Sequence, residues 1–245
     1  MTGKSPARAP RKTRGGSDGF ATDGERERFV REYLDNTSPQ VVESLRFLVA
    51  REQLGDRNSF PSRLAVVSSV EGEGVTTVSR TLAAMIAHDL EANVCWVDLN
   101  FTDIDRDSTL DSAPHLVDVL SERATIESAL EATSNPRLTL LRAGAVARQR
   151  RPVLARSPML ADLFAALDVA FQYVVIDVPP LLASSESLNL VRHARAYLLV
   201  VKHGETTIPQ VRQASQELRS IPSLGVVLNH FEPHMPSKLQ RLFAT

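Results

Sequence analysis

The sequence predicts an α/β fold with a doubly wound, mainly parallel sheet. Three observations carry that expectation. Short continuous apolar runs recur along the chain, helical patterns separate them, and a glycine-rich loop follows the first run. Unbroken apolar runs are what a parallel sheet covered on both faces requires, because each strand is buried on both sides.

In chain order, apolar Val41, Val42, Leu45, Leu48 and Val49 recur at helical spacing after Ser38 and Pro39, a cap and first-turn pair. Leu64-Ala-Val-Val-Ser68 then reads as a buried strand, followed by the loop and a helix over 75–90. Val94-Cys-Trp-Val-Asp98 and Leu138-Thr-Leu-Leu141 read as strands, and a helix over 158–167 precedes the strand Tyr173-Val-Val-Ile-Asp177. A helix near 186–191 leads to Ala196-Tyr-Leu-Leu-Val-Val201, and one over 208–219 leads to Leu224-Gly-Val-Val-Leu228. In such sheets ligands sit beyond the carboxyl ends of the strands. Candidate functional residues are therefore those at 68–77, 98–105, 177–185 and 202–206.

Domain organisation follows from composition. Residues 1–25 are rich in Pro, Gly, Ser and Arg, and the first seventeen carry Lys4, Arg8, Arg11, Lys12 and Arg14 without an acid. A stretch with so little apolar surface is expected to be a disordered basic tail. Residues 26–235 form the α/β domain, and 236–245 a C-terminal tail whose Leu239, Leu242 and Phe243 share one helical face for docking or for a partner. The net charge of −1 and the lack of a basic stripe in the folded part argue against a nucleic-acid partner. Cys95, the one cysteine, lies in an apolar run and reads as a packed thiol. With neither a secretory signal pattern nor a long apolar span, a cytoplasmic location is expected.

The loop Ser69-Val70-Glu71-Gly72-Glu73-Gly74-Val75-Thr76 carries the chemistry. Phosphate-binding loops work by aiming successive backbone N–H groups at an anion above a helix N-terminus. Glycines allow close approach, a lysine reaches the β/γ-phosphates, and the next hydroxyl binds Mg²⁺. Here strand, Gly72, Gly74, Thr76, Thr77 and helix occur in that order, so the fold is of the P-loop NTPase type. Ser69 stands where the regular pattern has its first glycine, and Val75 stands at the lysine. Asp98 and Asp177 each end an apolar strand, where P-loop enzymes place the carboxylates that organise metal and water.

These residues resemble the cytoplasmic domain of the bacterial tyrosine kinases (BY-kinases) that serve capsule and exopolysaccharide assembly, a deviant-Walker P-loop group. The loop from Ser68 to Thr76 matches the family pattern except at Val75. Val94 to Asn100 is similar to its second motif, with Asp98 kept and Asn100 in place of the second acid. Tyr173 to Pro180 resembles its Walker B segment, and Glu43-Ser-Leu-Arg46 the start of its oligomerisation helix. The stretches Leu116 to Leu120, Leu138 to Gly144 and Leu224 to Asn229 resemble it too, so the likeness covers about residues 38–230.

The resemblance implies ATP and Mg²⁺ as cofactors. Ser69, Gly72, Glu73, Gly74, Thr76 and Thr77 would cradle phosphate, Thr76 would hold Mg²⁺, and Asp98 and Asp177 would act as catalytic and metal-organising acids. It also implies a membrane-anchored polysaccharide co-polymerase or export protein as partner, homo-oligomer formation, and peripheral attachment at the inner face of the plasma membrane.

Four departures point to altered catalysis: Val75, Asn100, Val49 at the second arginine of the oligomerisation helix, and the lack of a tyrosine cluster near the C-terminus. Tyr33 is the one candidate for a mobile tyrosine. Arg80, one turn into the helix, could replace the lysine only by reaching back. The expected function is that of a degenerate, regulatory BY-kinase-like protein of polysaccharide biosynthesis or export with weak or lost ATP turnover. The alternatives are an active kinase or ATPase with a compensated loop, and a partition or positioning ATPase.

Overall fold

A computed structural model describes residues 28–34, 37–54, 60–101 and 113–230, together with Thr22 and Gly24. Apart from Thr22 and Gly24, the expected tail at 1–25 lies outside the described residues, as do the tail at 236–245, Asp103 and Asp105.

A π-helical turn, Val30–Leu34, precedes helix α1, Pro39–Leu54. Strand β1 (Arg63–Ser68) enters the loop, from which helix α2 (Val75–Asp89) emerges, and β2 (Val94–Asp98) follows. Two short helices, α3 (Leu116–Leu120) and α4 (Ile126–Ala129), and the two-residue strand β3 (Glu131–Ala132) lead to β4 (Leu138–Leu141). A 3₁₀ turn at Arg148–Arg150 runs into α5 (Arg151–Leu154), then α6 (Pro158–Ala170) and β5 (Tyr173–Asp177). Helix α7 (Ser187–Val191), β6 (Ala196–Lys202), α8 (Ile208–Glu217) and β7 (Ser223–Asn229) complete the described chain.

Among the described residues the strands form one seven-stranded sheet in the order β3-β4-β2-β5-β1-β6-β7. All pairs are parallel except β3 with β4. The expected strands are all present, each within two residues of its anticipated ends. The elements between 116 and 154 that periodicity did not reveal are two to five residues long, too short to show a helical repeat.

Strand alternation divides the core into two layers. Ala65, Val67, Cys95, Val97 and Ile176 face one side, where Leu160, Leu163, Phe164 and Leu167 of α6 cover them. Leu64, Val66, Val94, Trp96 and Val175 face the other, against Leu45 and Leu48 of α1 and Val78, Leu82 and Ile86 of α2. Burial pushes the Cys95 thiol far above its ordinary range, as expected for a packed sulfhydryl. No helix among the described residues is long and apolar enough to cross a membrane.

Parallel pairing brings the described candidates at 68–77, 98–101, 177–185 and 202–206 to one edge. Because β1, β2 and β5 are neighbours in register, the loop after β1 and the acids that end β2 and β5 meet at the same height.

Candidate functional site

The loop is built by its glycines. Gly72 has φ +80° and Gly74 φ +90°, left-handed values that an L side chain resists. Gly74 is also the residue that caps α2, so the helix starts directly beneath the loop. A Cβ at Gly74 would lie 2.2 Å from Asn229 Nδ2, whose N–H donates to the Glu73 carbonyl at 3.0 Å. The end of β7 thereby clamps the loop from outside.

Two loop side chains turn inward. Glu73 is buried; its Oε2 accepts from the Val70 N–H at 2.9 Å, and its Oε1 accepts from the Thr206 hydroxyl. Ser69 is fully buried and its hydroxyl donates to the Gln210 carbonyl at 3.4 Å. Thr76 and Thr77 are exposed beside the loop. The Leu181 and Leu182 N–H groups donate to the Ser68 and Ser69 carbonyls at 3.0 Å, fastening the Pro179-Pro180 turn to the loop base.

Beneath the loop stand the two acids, directly opposite each other on β2 and β5. Asp177 is fully buried; its Oδ1 accepts from Asn100 Nδ2 at 3.0 Å, and the Thr76 hydroxyl faces the carboxyl. Its Oδ2 is buried with no partner of ordinary hydrogen-bond geometry. Burial first, and the Asp98 charge second, push Asp177 up to about 7. Burial likewise pushes Asp98 up to about 6, against the Asn100 N–H that donates to its Oδ1 at 2.7 Å. Asn100 therefore bridges both acids, from the place where the resemblance expects a third.

A cavity of about 740 Å³ lies over this arrangement, within the range of small-molecule and cofactor sites. The loop residues 71–77 form one wall, with Asn100 and Phe101, the 178–186 turn, and Arg148, Arg151 and Pro152 as the others. Val75 is 8% exposed and packs into the core layer around α2 while bordering this cavity. No charge extends into the cavity from the lysine position.

Arg80 does not reach back to the loop. Its guanidinium lies 4.9 Å from the Trp96 ring centre, and it forms no part of the cavity wall, though its charge lowers both acids. Lys202 pairs with Glu205 at 2.6 Å. Tyr33, considered above for mobility, is half-buried and stacked on Phe29 at 5.0 Å; burial and Glu32 raise its phenol to about 12. Arg46, which the resemblance assigns to an oligomer contact, donates from Nε to Asp89 Oδ2 at 2.8 Å within the chain. Thr206 lies in the 202–206 segment expected at the ligand edge and Asn229 in a stretch that resembles the family, but their contacts with the loop were not foreseen, and Arg148 and Arg151 escaped sequence reasoning altogether. Their residue types were visible, but no local pattern brings them to a loop more than seventy positions away.

No family model matches the chain. It is 26% identical over 197 residues to EpsB of Ralstonia nicotianae and 24% identical over 209 residues to the tyrosine-protein kinase YwqD of Bacillus subtilis. Its curated homologues are bacterial tyrosine kinases. A further relative is the succinoglycan biosynthesis transport protein ExoP of Rhizobium meliloti, 27% identical over 172 residues. These alignments take 79%, 82% and 68% of this chain. They take 26% of EpsB, 87% of YwqD and 22% of ExoP, so the chain spans about a quarter of the length of two of these relatives and most of the third.

Solved structures agree on the fold. The kinase domain of the Escherichia coli tyrosine kinase ETK matches with a TM-score of 0.69 at 22% identity, covering 92% of this chain and 87% of that one. The VpsO kinase domain matches at 0.67 and 25%, over 86% and 100%. The septum site-determining protein MinD of Pyrococcus horikoshii, complexed with Mg-ADP, matches at 0.58 and 20%, over 76% and 79%. The homologues indicate the BY-kinase and exopolysaccharide biosynthesis-export group.

Proposed function

We propose that this chain is a degenerate BY-kinase-like protein of capsule or exopolysaccharide biosynthesis or export, which binds a Mg·nucleotide but turns it over poorly. It regulates its pathway through contact with a membrane-anchored co-polymerase or export partner, from the cytoplasmic side. The observation that carries this reading is Val75: an apolar, nearly buried side chain at the lysine position of a loop whose backbone is otherwise shaped for phosphate. The transport and kinase names of the relatives support the pathway.

The residues fit the cofactor. The buried, unpartnered Oδ2 of Asp177 is the orphan acceptor that a cation would satisfy. Thr76, Asp98 and Asp177 would hold Mg²⁺, which supplies neutralisation of phosphate charge when bound. Gly72, Gly74 and Thr77 line the cavity where backbone N–H groups at the start of α2 would meet phosphate. Ser69 and Glu73 contribute through the backbone, since their side chains brace the loop from within.

Losing one preorganised donor to a charged transition state typically costs about 10²–10³ in rate. Mg·ATP hydrolysis is therefore expected to be about a hundredfold or more faster in Val75→Lys than in the wild type, with binding by calorimetry tighter as well. Turnover in the wild type equal to that of the variant would overturn the degenerate reading in favour of a working kinase or ATPase.

A further inference from the structure

We infer that Arg148 and Arg151 supply the positive charge that Val75 cannot, so that the phosphates of a nucleoside triphosphate are held between loop 71–77 and the arginine segment across the cavity. The inference rests on the nucleotide-site reading above and names the residues that complete it.

Charge makes the case. The cavity wall carries Glu71 and Glu186 as outward acids, while Glu73 is turned inside. Among the described residues, Arg148 and Arg151 are the cations in that wall. Without them, the protein's own side chains in that wall would offer a polyphosphate two carboxylates, and only backbone dipoles and a bound Mg²⁺ would stand in its favour. Arginine suits the task, because its fork of N–H donors matches phosphate oxygens and it stays charged at all relevant pH.

The segment is held at this position by the turn after β4 and by apolar anchors in the core layer that covers one face of the sheet. After β4 the chain turns at Gly144, with φ +80°, where a Cβ would come within 2.7 Å of Val117 and 2.8 Å of His115. The Leu116 and Val117 N–H groups donate to the Arg142 and Ala143 carbonyls, docking α3 against this turn. Val146, Leu154 and Ala155 are buried on either side of the arginines, and Arg151 Nε donates to the Val146 carbonyl at 3.3 Å. Apolar anchors thus flank a short stretch whose charged side chains border the cavity. The second arginine is held at Nε by that bond while its side chain lines the cavity.

The test is calorimetric titration of the full chain with Mg·ATP and, as a control without phosphate, adenosine. Arg148→Ala and Arg151→Ala are each expected to weaken Mg·ATP about tenfold, and the double variant about a hundredfold, with adenosine binding unchanged. Because Arg151 also supports its own turn, Arg148→Glu on an exposed residue serves as the second variant, and thermal melting shows whether each variant folds. In the double variant, Val75→Lys is expected to restore most of the lost affinity. Equal Mg·ATP affinity in the wild type, the double variant and Arg148→Glu overturns the inference. Binding in Val75→Lys but none in the wild type also overturns it, and leaves of the reading above only the lost catalysis, not nucleotide binding. Failure of Val75→Lys to bind sinks both.

Discussion

At the amino ends of the strands, Asp168 of α6 lies between Arg63 at 3.3 Å and Arg195 at 3.2 Å, and Phe164 packs beneath the Arg63 guanidinium. At the carboxyl ends, Asp98 and Asp177 stand side by side, met by the Asn100 amide and the Thr76 hydroxyl rather than by a bonded cation. One acid at the lower end has two positive partners; two acids at the upper end share a neutral one. The lower arrangement offsets its acid with two cations and serves the fold. The upper one holds two acids together out of water, at a cost that a proton or a bound cation would relieve. The contrast separates scaffold from site without reference to any motif.

The largest effect should come from the loop that covers the upper end. Gly74→Ala forces a side chain into a left-handed position and onto the Asn229 amide. Folding stability is expected to fall by about 3 kcal/mol, from the strained backbone plus the lost Asn229 hydrogen bond, as read by denaturant unfolding. A loss below about 1 kcal/mol would show that Asn229 is not a clamp.

The next effect depends on pH. Asp98 and Asp177 both have folded values raised above the ordinary unfolded value of about 3.9. The folded protein then binds these protons more tightly than the unfolded chain. Their contribution to stability is complete below about pH 4 and is lost as the pH rises through about 6 and 7. In the presence of a chelator, stability is expected to decline by on the order of 3 kcal/mol between pH 4 and pH 8. Asp177→Asn should flatten that decline and stabilise the metal-free protein at pH 8 by about 2 kcal/mol. A variant less stable than the wild type there would mean that the acid pair is not strained.

The smallest effect has the opposite sign. Asp168→Asn leaves Arg63 and Arg195 facing each other, and should destabilise the protein by about 1–2 kcal/mol at pH 8. If both Asp→Asn variants moved stability in the same direction, the contrast between the two ends would fail.

How much of this was legible beforehand follows a physical line. The strands and long helices announced themselves because burial on both faces demands unbroken apolar runs, and an amphipathic helix repeats every 3.6 residues. The loop glycines, Asp98 and Asp177 were legible because their chemistry depends on local backbone shape and on position at a strand end. Arg80 shows the limit: one turn into the helix, it was a reasonable candidate for the lysine, yet Trp96 holds its guanidinium away from the loop. Glu73 shows another, since its carboxylate braces Val70 and Thr206 instead of facing the cavity.

The sequence by itself determined the order of strands and helices, the phosphate-loop backbone and the missing lysine, because each is written in residues adjacent along the chain. Only the tertiary structure decided which acids meet, what clamps the loop and which arginines border the cavity. Those relations depend on how β2, β5 and β7 and the 144–155 segment are laid beside one another. Such long-range placement is set by the joint packing of two core layers, and no local stretch of sequence encodes it.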